Sequence, residues 1–118
     1  MKKARFIACF LLVVMLLPVL SSCVNLDGIE GKLKAEGYLV RRYDEGGIVK
    51  LHEDLSSRLE ATGPEGEVLT VLLFKEKEKA QEYYDVFKDA EEYKLVKTIG
   101  IHGNMVIFGT RSTYEMVT

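Results

Sequence analysis

The side chains with chemistry to offer are few: His52, His102, the serine pair Ser56-Ser57, and the cysteines Cys9 and Cys23. His52 is followed by Glu53 and Asp54, so an imidazole and two carboxylates are close along the chain. A zinc-protease helix needs two histidines four residues apart with a Glu between them, and His52-Glu53-Asp54 has no second histidine at that spacing. Adjacent acids splay around any helix that holds them, so the triplet reads as surface. His102, between Ile101 and Gly103, reads as an exposed residue of a tight turn. Ser56 and Ser57 lie near His52 in sequence, which suggests a nucleophile and a base. No nucleophile elbow and no oxyanion-hole glycine pair flank them. Gly46-Gly47 and Gly63-Pro64-Glu65-Gly66 lack the spacing and the following Lys-Ser/Thr of a phosphate loop. The sequence thus supplies no catalytic, cofactor or metal-ligating set. An enzyme built on it would have to use His52 or His102 with nearby acids.

The cysteines point elsewhere. Met1-Lys2-Lys3-Ala4-Arg5 is a positive start, and Phe6 through Leu20 follows as 15 uncharged residues interrupted by Pro18. A bilayer-spanning helix needs about 20 apolar residues, so the run is short for a span and suits a signal-peptide core. Small, polar Ser21-Ser22 comes next, and then Cys23. Leu20-Ser21-Ser22-Cys23 resembles the lipobox of bacterial lipoproteins: a branched aliphatic residue, two small residues, then the cysteine. The resemblance covers residues 1–23. It implies diacylglycerol in thioether linkage on Cys23, cleavage between Ser22 and Cys23, and a mature domain of residues 23–118 held at a membrane outside the cytoplasm. Val24 stands where that family carries the Asp of inner-membrane retention. Cys9 would leave with the leader, so the mature chain would hold one cysteine, with no internal disulfide and no cysteine metal site. A single acyl chain binds membranes marginally, whereas two or three hold.

The elements beyond the leader follow from periodicity and turn chemistry. Leu26, Ile29 and Leu33 repeat at helical spacing, which predicts a helix over 26–36 capped by Asn25 or Asp27 and stopped at Gly37. Tyr38–Tyr43 predicts a strand whose neighbours Arg41 and Arg42 point to opposite faces, solvated rather than forming one anion clamp. Ile48, Leu51, Leu55 and Leu59 share helical spacing and predict a short helix over 47–56. Arg58–Thr62 and Val68–Phe74 predict two strands joined at Gly63-Pro64-Glu65-Gly66, the second central because it is apolar nearly throughout. Residues 75–92 predict the clearest helix, with Ala80, Tyr83, Tyr84, Phe87 and Ala90 on its core face and Lys75–Lys79 as a solvated first turn. Strands over 94–101 and 104–108 and a final helical turn over 111–116 complete the chain. Tyr83, Tyr84, Phe87 and Phe108 read as core, while Tyr38, Tyr43, Tyr93 and Tyr114 are candidates for an exposed patch.

This order favours one small α+β domain: an antiparallel sheet of about five strands with helices packed on one face. Val71–Phe74, the helix with Ala80 and Tyr83-Tyr84, and Gly103–Thr110 together resemble small uncharacterised bacterial domains. In those a strand–helix–strand–strand unit ends in Gly-Thr; the resemblance covers residues 67–110 and implies no active site.

Composition narrows the function classes. Without residues 1–22 the chain keeps 96 residues, with 13 basic and 18 acidic side chains and a net charge of −5. Such a domain lacks the basic footprint of a nucleic-acid binder, and 96 residues suffice for one modest core. The reading that results is a membrane-anchored bacterial lipoprotein, a non-catalytic binding or assembly module at the cell envelope. Its partners would be membrane lipid through acylated Cys23 and an envelope protein, with no cofactor. A small envelope enzyme and a structural component of an envelope complex are the alternatives.

Overall fold

Val68–Phe74 buries residues on both of its sides, which is what a strand flanked by two others and covered above and below requires. A computed structural model describes residues 24–90 and 98–118. Cys23, the leader, Tyr93 and the start of the strand expected from residue 94 lie outside the described residues. The elements are α1 (Leu26–Ala35), β1 (Leu39–Asp44), β2 (Leu55–Thr62), β3 (Val68–Phe74), α2 (Lys77–Phe87), β4 (Thr98–His102), β5 (Met105–Gly109) and α3 (Arg111–Val117). The strands form one antiparallel sheet in the order β1-β2-β3-β5-β4, with β3 in the middle. The α+β class and the five-stranded antiparallel sheet are as the sequence led us to expect.

The two faces of the sheet follow from strand alternation. On the first face the register aligns Ala61 with Leu69 and Gly109, and Leu59 with Val71 and Ile107. α1 and α3 cover this face, contributing Leu26, Ile29, Leu33 and Val117 to its core. On the second face Leu72, Phe74 and Val106 meet Ala80 of α2. One-sided helix packing therefore describes α1 and α3, while α2 lies over the other face. The reason is connectivity: β3 and β4 are parallel with β5 between them, and α2 makes the crossover.

Local signals set the helix ends. The Asn25 side-chain oxygen accepts the Gly28 N–H at 2.7 Å and caps α1. At the other end Tyr38 N–H reaches Leu33 O at 2.9 Å and Gly37 N–H reaches Lys34 O at 3.1 Å, a Schellman closure. It requires a residue with positive φ, and Gly37 sits at φ 82°. The Gly-Thr after β5 also has a structural role. A Cβ at Gly109 would strike the Val68 carbonyl and the Leu69 Cα, and Thr110 holds the Val68 backbone through both its N–H, at 2.9 Å, and its hydroxyl, at 3.1 Å.

The helix expected over 47–56 does not form. Residues 45–54 make a loop, and Leu55 already belongs to β2. A bulge between Leu55 and Ser57 puts Leu55 into the core of the second face while Leu59 enters the first. The apolar spacing was therefore a coincidence between a loop residue, Leu51, and a bulged strand. Pairing with β3 won over local periodicity, and Gly46-Gly47 opposes helix initiation.

Candidate functional site

α2 is narrower than the face it covers. It stands on β3, β5 and β4 through Ala80, fully buried, and through Tyr83 and Tyr84. The register places Tyr43, Arg58, Glu60 and Thr70 on the same face, beyond the flank of the helix. Between that flank and the strands runs a groove of about 600 Å³. Leu55, Leu72, Phe74 and Phe108 form its floor, and Tyr83, Val86 and Phe87 its helical wall. The rings are packed together, with Tyr83 centred 5.7 Å from Phe74 and 4.6 Å from Phe87. Val86 is 70% exposed despite this position.

The lip is polar and balanced in charge. Arg58 donates to Glu60, Lys79 lies 3.5 Å from Glu82, and His52 Nδ1 lies 3.6 Å from an Asp54 carboxylate oxygen. His52 Nδ1 also accepts the Asp54 backbone N–H at 3.2 Å, so in this geometry the ring proton is on Nε2. The cations Arg58 and Lys79 thus each face an acid and His52 is neutral, which leaves the apolar floor as the dominant attraction. Lys75, just before α2, pairs with Glu45 at 2.8 Å and its ammonium is held above its ordinary pKa chiefly by that bond.

The sequence-derived candidates separate across the sheet. His52 reaches the groove, though as an exposed lip residue. His102 is not an exposed turn residue: it ends β4 half-buried on the first face, with Nε2 3.0 Å from the Tyr114 hydroxyl. Burial pushes its pKa below the usual histidine value. Ser57 is buried and donates to Asp44 at 2.6 Å on the face opposite the groove, so it does not meet His52. Arg41 and Arg42 do point to opposite faces, but Arg42 is not solvated. It binds Asp27 at 2.6 Å, Asp44 at 3.1 Å and Glu30 at 3.3 Å. Tyr38 bonds Thr113 at 2.8 Å and Glu67 at 3.1 Å, Tyr114 bonds His102, and Tyr43 lies on the groove side, so these three do not form one patch. Tyr83, Phe87 and Phe108, expected in the core, are half-buried groove residues. Their apolar spacing was legible; that α2 would leave one edge of them open was not. Among the described residues no group of three or more His, Cys, Asp or Glu is placed to hold a metal ion. Cys23 lies outside the described residues, and the next residue, Val24, is half-buried against the first-face core. No protein-family model, curated protein or solved structure matches this chain.

Proposed function

We propose that this chain is a lipid-anchored binding module of a bacterial cell envelope, carried on acylated Cys23 with its folded domain outside the cytoplasm. The observation that carries the binding reading is the groove beside α2, with an apolar, aromatic floor and a lip whose cations Arg58 and Lys79 are already paired with acids. Clefts of ~300–1,000 Å³ with mostly apolar lining are where small ligands and apolar side chains of partners are taken up. The anchor reading rests on residues 1–23 and is supported by the way the fold begins. Val24 already packs and Asn25 already caps α1, so a lipid on Cys23 would hold the domain at the bilayer with no linker between them.

The test uses the membrane-bound protein. A photo-cross-linking residue at Val86 is expected to trap a groove occupant, and Thr70→Glu, which puts a charge into the groove, is expected to abolish the adduct. Cross-linking at Val86 no different from that at Glu65, in the β2–β3 turn, would remove the binding reading. A second reading, an envelope enzyme, is favoured by His52 beside Asp54 at the groove's lip. It predicts that His52→Ala abolishes turnover of the groove occupant while leaving the Val86 adduct intact.

A further inference from the structure

The loop between β1 and β2 shows one of its two large aliphatic side chains entirely to solvent. Ile48 is as exposed as in an open chain, at 106% of reference, and Val49 beside it is 52% exposed. The loop is nevertheless held at its base. Gly47 N–H closes on Asp44 O at 3.1 Å, Lys75 N–H bonds Asp54 O at 2.9 Å, Glu45 pairs with Lys75, and Leu51 packs against the second-face core. A chain segment that tucks Leu51 inward had the opportunity to tuck Ile48 and does not.

The position of this tip in the fold identifies what it faces. α1 runs antiparallel to β1, because its N-terminal half meets Arg42 through Asp27 and Glu30 while its last turn leads through Gly37 into the start of β1. The N-terminus of α1 is therefore at the end of the sheet where β1 finishes and the 45–54 loop emerges. Cys23 precedes the Asn25 cap by two residues, a reach of about 7 Å. Of the other exposed aliphatic residues, Leu39 and Val68 lie at the opposite end of the sheet, where β1 and β3 begin, and Val86 is in the last turn of α2 beside the groove. We infer that Ile48 and Val49 enter the apolar boundary of the bilayer beside the acyl chains of Cys23, so that the domain is fixed in orientation at two points. Lys50 follows at the level of the head groups, as long cationic side chains do at interfaces. Asp44, Glu45, Glu53 and Asp54 sit around the base of the loop, so the contact is apolar insertion and not attraction to anionic lipid. It works on a zwitterionic surface and resists salt.

This inference rests on the anchor reading, and the experiment separates the two. In the acylated mature chain the Cys23 sulfur is in thioether linkage and Cys9 is gone with the leader. Ile48→Cys then offers one reactive thiol, as does Glu65→Cys in the turn at the far end of the sheet. Each acylated protein is labelled with an environment-sensitive fluorophore and placed in phosphatidylcholine vesicles. The label at 48 is expected to be quenched by nitroxide-bearing lipid and shielded several-fold from aqueous iodide relative to the label at 65, unchanged at high salt. Acylation confirmed by mass, with the label at 48 as open to iodide as that at 65, overturns loop insertion and leaves the anchor standing. A mass without diacylglycerol on Cys23 overturns the anchor, and loop insertion with it.

Discussion

The Tyr114 hydroxyl fills the space above Gly100 that any side chain there would need. α3 is thereby seated on β4 by an aromatic ring lying over a missing Cβ, and the same hydroxyl meets His102 two residues along the strand. Gly100→Ala should cost about 1–3 kcal/mol, as overpacking of a filled site does, and lower Tm by about 5–15 °C in a domain of this size. Tyr114→Ala vacates the space, so the double variant should lose less stability than the sum of the singles. Denaturant titration of the four proteins measures this, and strict additivity would show that the ring does not hold α3 against Gly100.

Half-buried His102 gives the fold a pH dependence whose sign follows from linkage. Its folded pKa is depressed by burial, so as pH falls through the usual histidine range near 6.5 the unfolded chain takes up a proton that the folded chain resists. Stability is then complete above about pH 7 and declines as pH drops toward the folded value. His102→Gln, which keeps a polar partner for Tyr114, should flatten the slope of unfolding free energy between about pH 7.5 and 5.5. Urea titrations across that range check it, and an unchanged slope would assign the dependence to other groups.

Arg42 joins α1 to the sheet. Its guanidinium is held above its ordinary pKa first by Asp27, against the opposing effect of burial, and then by Asp44 and Glu30. Asp27 is 86% exposed and adds little; Glu30, 23% exposed, and Asp44, tied also to Ser57, are the stronger partners. Arg42→Ala should cost about 1–3 kcal/mol, and Arg42→Lys should recover part of it without the planar fork. Asp44 lies below the usual carboxylate range because of the Ser57 hydroxyl and then Arg42. Its contribution is therefore present above the unfolded carboxylate pKa and lost as pH falls through the folded one. Removing Arg42 should move the acid-unfolding limb to higher pH, as circular dichroism across an acid titration would record.

How far the chain could be read in advance depended on whether a signal was local. The Asn25 cap, the Gly37 stop, the turn at Gly63–Gly66 and the apolar run of β3 are written in neighbouring residues, and each appears in the fold. The Leu51/Leu55/Leu59 spacing misled because a bulge in β2 sends Leu55 and Leu59 to opposite faces, a fact of pairing with β3 and not of the segment itself. The groove was half legible. Tyr83, Phe87 and Phe108 showed as apolar positions, but their partial exposure depends on α2 covering three strands and leaving β1 and β2 on that side to the 45–54 loop. The settings of Arg42 and His102 were not legible for the same reason, since their partners Glu30 and Tyr114 lie 12 residues away in the chain.

Acylation of Cys23 underlies both the anchor and the loop insertion, and the intact mass of the protein extracted from bacterial membranes tests it most directly. The expected species begins at Cys23 and carries the mass of a thioether-linked diacylglycerol, lost in Cys23→Ser. A membrane-extracted chain that retains residues 1–22, or begins elsewhere with an unmodified Cys23, would contradict it.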